Sequence, residues 1–194
     1  MAASATETLC ERAARYSPAQ RRTLDVALEL FAEHAVAGTS LQMIADELGV
    51  TKAAVYHQFN TKDAIVHGVL DVQLVPVEAA LDELEASNRG RKAREQLLDR
   101  LIDQVMTNRR ALATLQNDVV LFRVIGSHEP ARRLFERLFA ELLVDLDEPI
   151  ALTRAAVLSA TIGAVGHPFV TGVDDETLRE EIRRIAHRLL RPSG

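Results

Sequence analysis

The stretch Ser40–Phe59, SLQMIADELGVTKAAVYHQF, holds the residues whose types and spacing support a definite chemistry: laying a helix against a polyanion. No acid occurs from Val50 to Lys62, and Lys52, His57 and Lys62 fall in that run. Such a surface can meet phosphates without repulsion. Thr51, Lys52, Ala53, Ala54, Tyr56, His57 and Gln58 can all point outward from a short helix. Ala53 and Ala54 leave room for a deep approach to a groove and can touch thymine methyl groups.

A scaffold must hold that helix out. Two helices crossing sharply need a small residue at the crossing, which Ala45 supplies. The turn needs a residue tolerant of positive φ, which Gly49 supplies. Val55, ten residues after Ala45, plugs the shared core, and Ile44, Leu48 and Val50 are expected to complete the plug. This is helix-turn-helix spacing, which presents its second helix to the major groove. An ordinary αα-hairpin also wants a small residue and a glycine, so spacing alone leaves both readings open.

The flanking sequence reads as helices. Ser17-Pro18-Ala19-Gln20 has an N-cap, a proline at the first helical position and the reach-back residue of a capping box. Leu24, Ala27, Leu28 and Phe31 follow at helical spacing, and Gly38 is expected to stop the helix. Thr39-Ser40-Leu41-Gln42 reads as a second capping box, Thr51 as the cap of a third helix, and Asn60-Thr61-Lys62-Asp63 as the opening of a fourth that Pro76 bends or ends. Further helices are expected over about 91–107, 109–126, 130–146, 149–166 and 175–191, with no alternating strand pattern. The expected fold is all-α. A flexible arm covers 1–16, a three-helix domain 17–62, and a second helical domain 63–194.

Bulk properties narrow the function. The 194 residues carry a net charge of -5, which argues against a protein that coats DNA with its whole surface. Residues 1–62 themselves hold six Lys/Arg against seven acids, so any nucleic-acid case rests on placement. The lone Cys10 makes no intrachain disulfide, in keeping with a reducing compartment. Ala155–Val173 lacks charged residues, but its glycines, Pro168 and hydroxyl residues read as a buried helix and loop; a soluble, cytoplasmic protein with no membrane partner is expected. The six histidines are scattered without metal-site spacing, and no catalytic, Walker or dinucleotide pattern is present. The expectation is therefore no catalytic residues, no metal, no cofactor and no enzyme.

The run TSLQMIADELGVTKAAVYHQFNTKDAI resembles the signature of TetR-type regulators, with Tyr56, Phe59 and Lys62 on its characteristic positions. The preceding LELFAEHAVAGTS resembles the family's first helix, and the detailed likeness covers about residues 20–72. By that resemblance Ser40 and Gln42 contact the DNA backbone, and Thr51 caps the recognition helix near a phosphate. Lys52, Ala53 and Ala54 sit where base edges are read, Tyr56 and His57 at phosphate and methyl contacts, and Lys62 on a phosphate. Gln58 stays with the outward set, and Phe59 is expected in the core.

The resemblance also implies a homodimer on palindromic operator DNA, paired through its last two helices. Small residues crowd 149–166 (Ala151, Ala155, Ala156, Ser159, Ala160, Gly163, Ala164), and Leu178, Ile182, Ile185, Leu189 and Leu190 form a stripe on the final helix. The middle helices would enclose a mostly apolar small-molecule effector, with Met106, Asn117, Phe122, His128 and Phe135 as candidate lining, beside Leu115 and Phe139. The reading is a transcriptional repressor released by that effector. Two others stay open: a helical module acting through protein partners, and an all-α enzyme.

Overall fold

The computed structural model describes residues 7–86, 90–109, 119–144 and 147–190, and among these it contains helices and no strand. The expected all-α class holds. The chain divides into two compact units. The first comprises residues 7–78 with 119–134; the second comprises the rest of the described chain.

In the first unit, α1 (Leu9–Ala14) lies where a flexible arm was expected. Its capping box is complete: Thr8 accepts from the Glu11 amide and Glu11 reaches back to the Thr8 amide. The buried Glu78 carboxylate, near the start of α6 (Val75–Ala86), accepts from the amides of Leu9 and Cys10, placing negative charge at the helix N-terminus. Burial of Leu9 and Ala13 then holds the segment down.

The next helix, α2 (Pro18–Gly38), has the expected Ser17 capping box. It does not run unbroken to Gly38, because Ala35 has φ 58 and ψ 169, a conformation open mainly to glycine. Thr39 is not part of a second capping box. Its hydroxyl donates to the Ala35 carbonyl at 2.8 Å, closing the broken end of α2. Ser40 alone caps α3 (Leu41–Leu48) by accepting from the Met43 amide. Then come α4 (Lys52–Gln58) and α5 (Lys62–Gln73), whose C-cap Leu74 lies two residues before Pro76. Leu24, Ala27, Phe31, Val36, Ile44, Ala45, Val55, Phe59, Ile65 and Val66 are buried and form the core of this unit. Also in the chain are α8 (Val119–Ser127) and α9 (Glu129–Leu142).

The second unit holds α7 (Arg91–Thr107), α10 (Glu148–Gly163) and α11 (Asp175–Leu189). Leu97, Leu98, Leu101, Ile102 and Met106 are buried on α7, as are Leu178, Ile182 and Ala186 on α11. Along the edges of this helix pair, Arg183 donates to both oxygens of Asp103 (2.8 and 2.7 Å) and His187 Nε2 lies 2.8 Å from Asp99 Oδ1. Two short 3₁₀ turns follow α10, and Arg109 gathers them through the carbonyls of Val165, Val170 and Val173.

Candidate nucleic-acid interface

The interface is built around Gly49. Its φ of 68° and ψ of 31° are left-handed, and nothing lies within 4 Å of where a Cβ would stand, so backbone conformation alone calls for glycine here. The Val50 amide donates to the Ala45 carbonyl at 2.9 Å, closing α3 and turning the chain. Ala45, Ile44 and Val55 are fully buried at the crossing. Val50, expected in the plug, is instead 43% exposed: the first residue after the turn points away from the crossing.

Thr51 caps α4 by accepting from the Ala54 amide at 3.2 Å. Lys52, Ala53, Tyr56 and His57 are exposed and, together with Asn60, line one shallow open groove. Ala54 is half-buried behind them. The Tyr56 ring is 56% exposed beside small residues and a cation, an arrangement that can lie against a docked partner. Ser40 and Gln42 are exposed on the neighbouring start of α3, where Gln42 donates to Asp46 at 2.7 Å.

Two expected contact residues face elsewhere. Gln58 turns back to α2, its side-chain oxygen accepting from buried Thr23 at 3.0 Å. Lys62 donates to the carbonyls of Val36 (2.7 Å), Thr39 (3.0 Å) and Ala37 (3.5 Å). An ammonium has three protons, so these three acceptors account for its donors. Phe59 is buried, its ring 6.0 Å from that of Tyr16, as expected. Asn60, which reads in the sequence as the opening of α5, lies inside the acid-free run and lines the same groove.

The candidate effector residues fall in both units. Met106 is buried on α7 and Phe135 is half-buried on α9, both in the second unit. Phe122 lies on α8, and Asn117 is outside the described residues, as is Leu115. His128 is 2% exposed and committed to the protein itself. Its Nε2 is 3.0 Å from Asp71 Oδ1, and its Nδ1 accepts from the Ala131 amide. Asp71, fully buried on α5, also accepts from Arg12 Nε (2.8 Å) and Tyr16 Oη (2.6 Å). Burial alone would raise the Asp71 pKa, but the donors from His128, Arg12 and Tyr16 hold it below the ordinary carboxylate value. Burial pushes the Tyr16 phenol up, and its bond to Asp71 pushes it further.

The geometry of α3, the Gly49 turn and α4 seated on α2 is that of a helix-turn-helix protein. Residues 24–69 match the family described as bacterial regulatory proteins, tetR family. The chain is 31% identical over 102 residues to the HTH-type transcriptional repressor KstR2 of Rhodococcus jostii (strain RHA1), a match covering 51% of this chain and 50% of that protein. The chain spans between about a third and a half of the length of the curated relatives it matches. Its fold is similar to a TetR-like transcriptional regulator from Rhodococcus sp. RHA1 (TM-score 0.65, 20% identity, 90% of this chain and 97% of that one). It is also similar to the TetR family regulator PfmR from Thermus thermophilus (TM-score 0.62, 23% identity, 87% and 96%).

Proposed function

We propose that this protein is a sequence-specific DNA-binding transcriptional regulator, a repressor that works as a homodimer on a palindromic operator and leaves it when a small apolar effector binds. The observation that carries the reading is the exposed, acid-free face of α4. Lys52 and His57 can meet phosphate or base edges, Ala53 gives close approach, and Tyr56 offers a ring and a hydroxyl. Ser40, Gln42, Thr51 and Asn60 flank that face as backbone contacts, and Ala54 supports it from behind. Gln58 and Lys62 act by holding the face in place.

The dimer reading rests on α10. Only Leu158 of its mid-section is buried, while Leu152 is 66% exposed, Val157 46% and Ile150 43%, with Ile185 of α11 at 40%. Pro149–Gly166 is long and apolar enough by length and composition to cross a membrane. Its small residues and its bond to α11, where Arg154 donates to the Leu189 carbonyl at 2.9 Å, favour a helix-to-helix interface instead.

Selection from a random duplex library with purified protein tests the function. A short palindrome should be enriched, and a Lys52→Ala/Tyr56→Ala/His57→Ala variant should enrich nothing. Enrichment of the same sequences by that variant, or of none by the wild type, rejects the reading. Effector release is tested by titrating each thermally stabilising compound with and without operator. Linkage requires the two ligands to weaken one another by the same factor.

A further inference from the structure

We propose that α1 is a clasp that sets the posture of α4, with Tyr16 as the positioning residue that carries its hold to the end of that helix. The proposal rests on the reading of α4 as the DNA-contacting helix, and every group it uses lies in the first unit.

Six residues do not hold a helix on their own, because the cost of nucleation outweighs so few bonds. Three other elements satisfy α1. At its N-terminal end each oxygen of the buried Glu78 carboxylate takes one amide, Oε1 from Leu9 at 3.1 Å and Oε2 from Cys10 at 3.0 Å. At its other end Arg21 of α2 donates to the Ala13 carbonyl at 2.6 Å. On its flank Arg12 donates to Asp71 of α5. Linkage makes this dependence mutual: the contacts that order α1 stabilise, by the same amount, the arrangement of α2, α5 and Glu78 that offers them.

Tyr16, just beyond α1, passes that hold on. Its hydroxyl donates to Asp71 Oδ2 at 2.6 Å, and its ring lies 6.0 Å from that of Phe59, tilted by 45°. Phe59 is the C-cap of α4; it is buried, and its amide donates to the Val55 carbonyl at 2.9 Å. Two rings therefore join the buried acid of α5 to the end of α4. Gly68 keeps the path open. A Cβ there would stand 3.2 Å from the Tyr16 hydroxyl oxygen and 2.7 Å from a Leu24 methyl, so α5 carries no side chain where the phenol passes. The first turns of α2 grip the same end of α4, through Thr23 and Gln20 on Gln58, so loss of the Tyr16 hold tilts α4 rather than freeing it. Attraction to duplex depends on charge and survives a small tilt. Reading base edges needs donors and acceptors within hydrogen-bond reach and does not survive it.

The test uses the full chain. Tyr16→Phe keeps the ring and removes the hydroxyl. On an operator selected by the wild type it should bind about tenfold more weakly, with binding to random duplex changed less than about twofold and helical content unchanged. A merely structural role lowers both kinds of binding together, so equal losses, or no loss, overturn the proposal. A second arm needs no DNA. Glu78→Gln leaves one acceptor for two amides, so the exchange protection of the Leu9 and Cys10 amides should fall, and that of the Phe59 amide with it. In the unaltered chain, under sub-denaturing urea, the Cys10 and Phe59 amides should share one opening free energy, a measurement that holds even if the variant fails to fold. Phe59 protection that survives the opening of α1, or separate opening of the two amides, refutes the clasp whatever α4 binds. If the wild type selects no operator while these amides open together, the DNA reading fails and the clasp stands.

Discussion

The ammonium of Lys62 lies 2.7 Å from the carbonyl oxygen of Val36, so the first residue of α5 caps the last turn of α2. Charge-assisted hydrogen bonds of this kind contribute about 1.5–3 kcal/mol. Lys62→Ala should lower unfolding stability by that amount in urea titration, with an unchanged slope. If Lys62 were a phosphate contact, the same variant would instead flatten the salt dependence of DNA binding by about one unit. We expect the salt dependence to stay as it is.

Ala35 offers the opposite lesson. An alanine at φ 58 and ψ 169 costs of order 1–3 kcal/mol, whereas glycine occupies that region freely. Glycine's extra freedom in the unfolded chain takes back about 0.5–1 kcal/mol. Ala35→Gly should therefore be net stabilising by about 1 kcal/mol. In a chain of this size that is roughly 2–4 °C in Tm by calorimetry. A lower Tm would mean the kink is not strained.

Asp71 gives a pH prediction with a definite sign. Its carboxyl is held below the ordinary value of 3.8, so its contribution is full above that value and is lost as pH falls through the lower, folded-state value. Asp71→Asn should cost about 3 kcal/mol at pH 7, because Arg12 and His128 lose their anionic partner. It should also remove part of the acid unfolding below pH 4. Superimposable acid limbs for wild type and variant would contradict this.

The exposed apolar residues of α10 can be tested directly. Leu152→Asp with Val157→Asp places charges at positions 66% and 46% exposed in the single chain, so folding should survive. Sedimentation should show a monomer with the helical content of the wild type. A variant that remains a dimer moves the interface off α10.

What was legible in the sequence was local. The Ser17 box, the Ser40 and Thr51 caps, the left-handed Gly49 and the Ala45–Val55 plug all depend on residues within about ten positions, and the structure forms each of them. The helix at 9–14 had a local signal as well: Thr8 and Glu11 have capping-box spacing, passed over because the segment is polar. The rest was non-local. Asp71 draws its partners from 55, 59 and 57 positions away, and no periodicity announces such a cluster. Lys62 was expected on a phosphate from the family resemblance, yet its acceptors are carbonyls left open by a kink that an alanine does not advertise. His128 was expected to line a pocket, yet its ring is buried beside Asp71 and His67 and accepts from the Ala131 amide.

The acids around α4 carry a consequence for how this molecule searches. Asp25, Glu29 and Glu33 are exposed along α2, and Asp46 and Glu47 on α3, while the run from Val50 to Lys62 has none. A polyanion meets carboxylates along those stretches of α2 and α3 and none along the run from Val50 to Lys62. At ionic strengths where the Debye length is about 8–10 Å, that discrimination acts only in the last steps of an encounter. On the proposed function, random duplex should therefore hold the protein weakly and briefly. Such a surface gives up capture rate for a clean background, which is an advantage when a few sites must be found among very many.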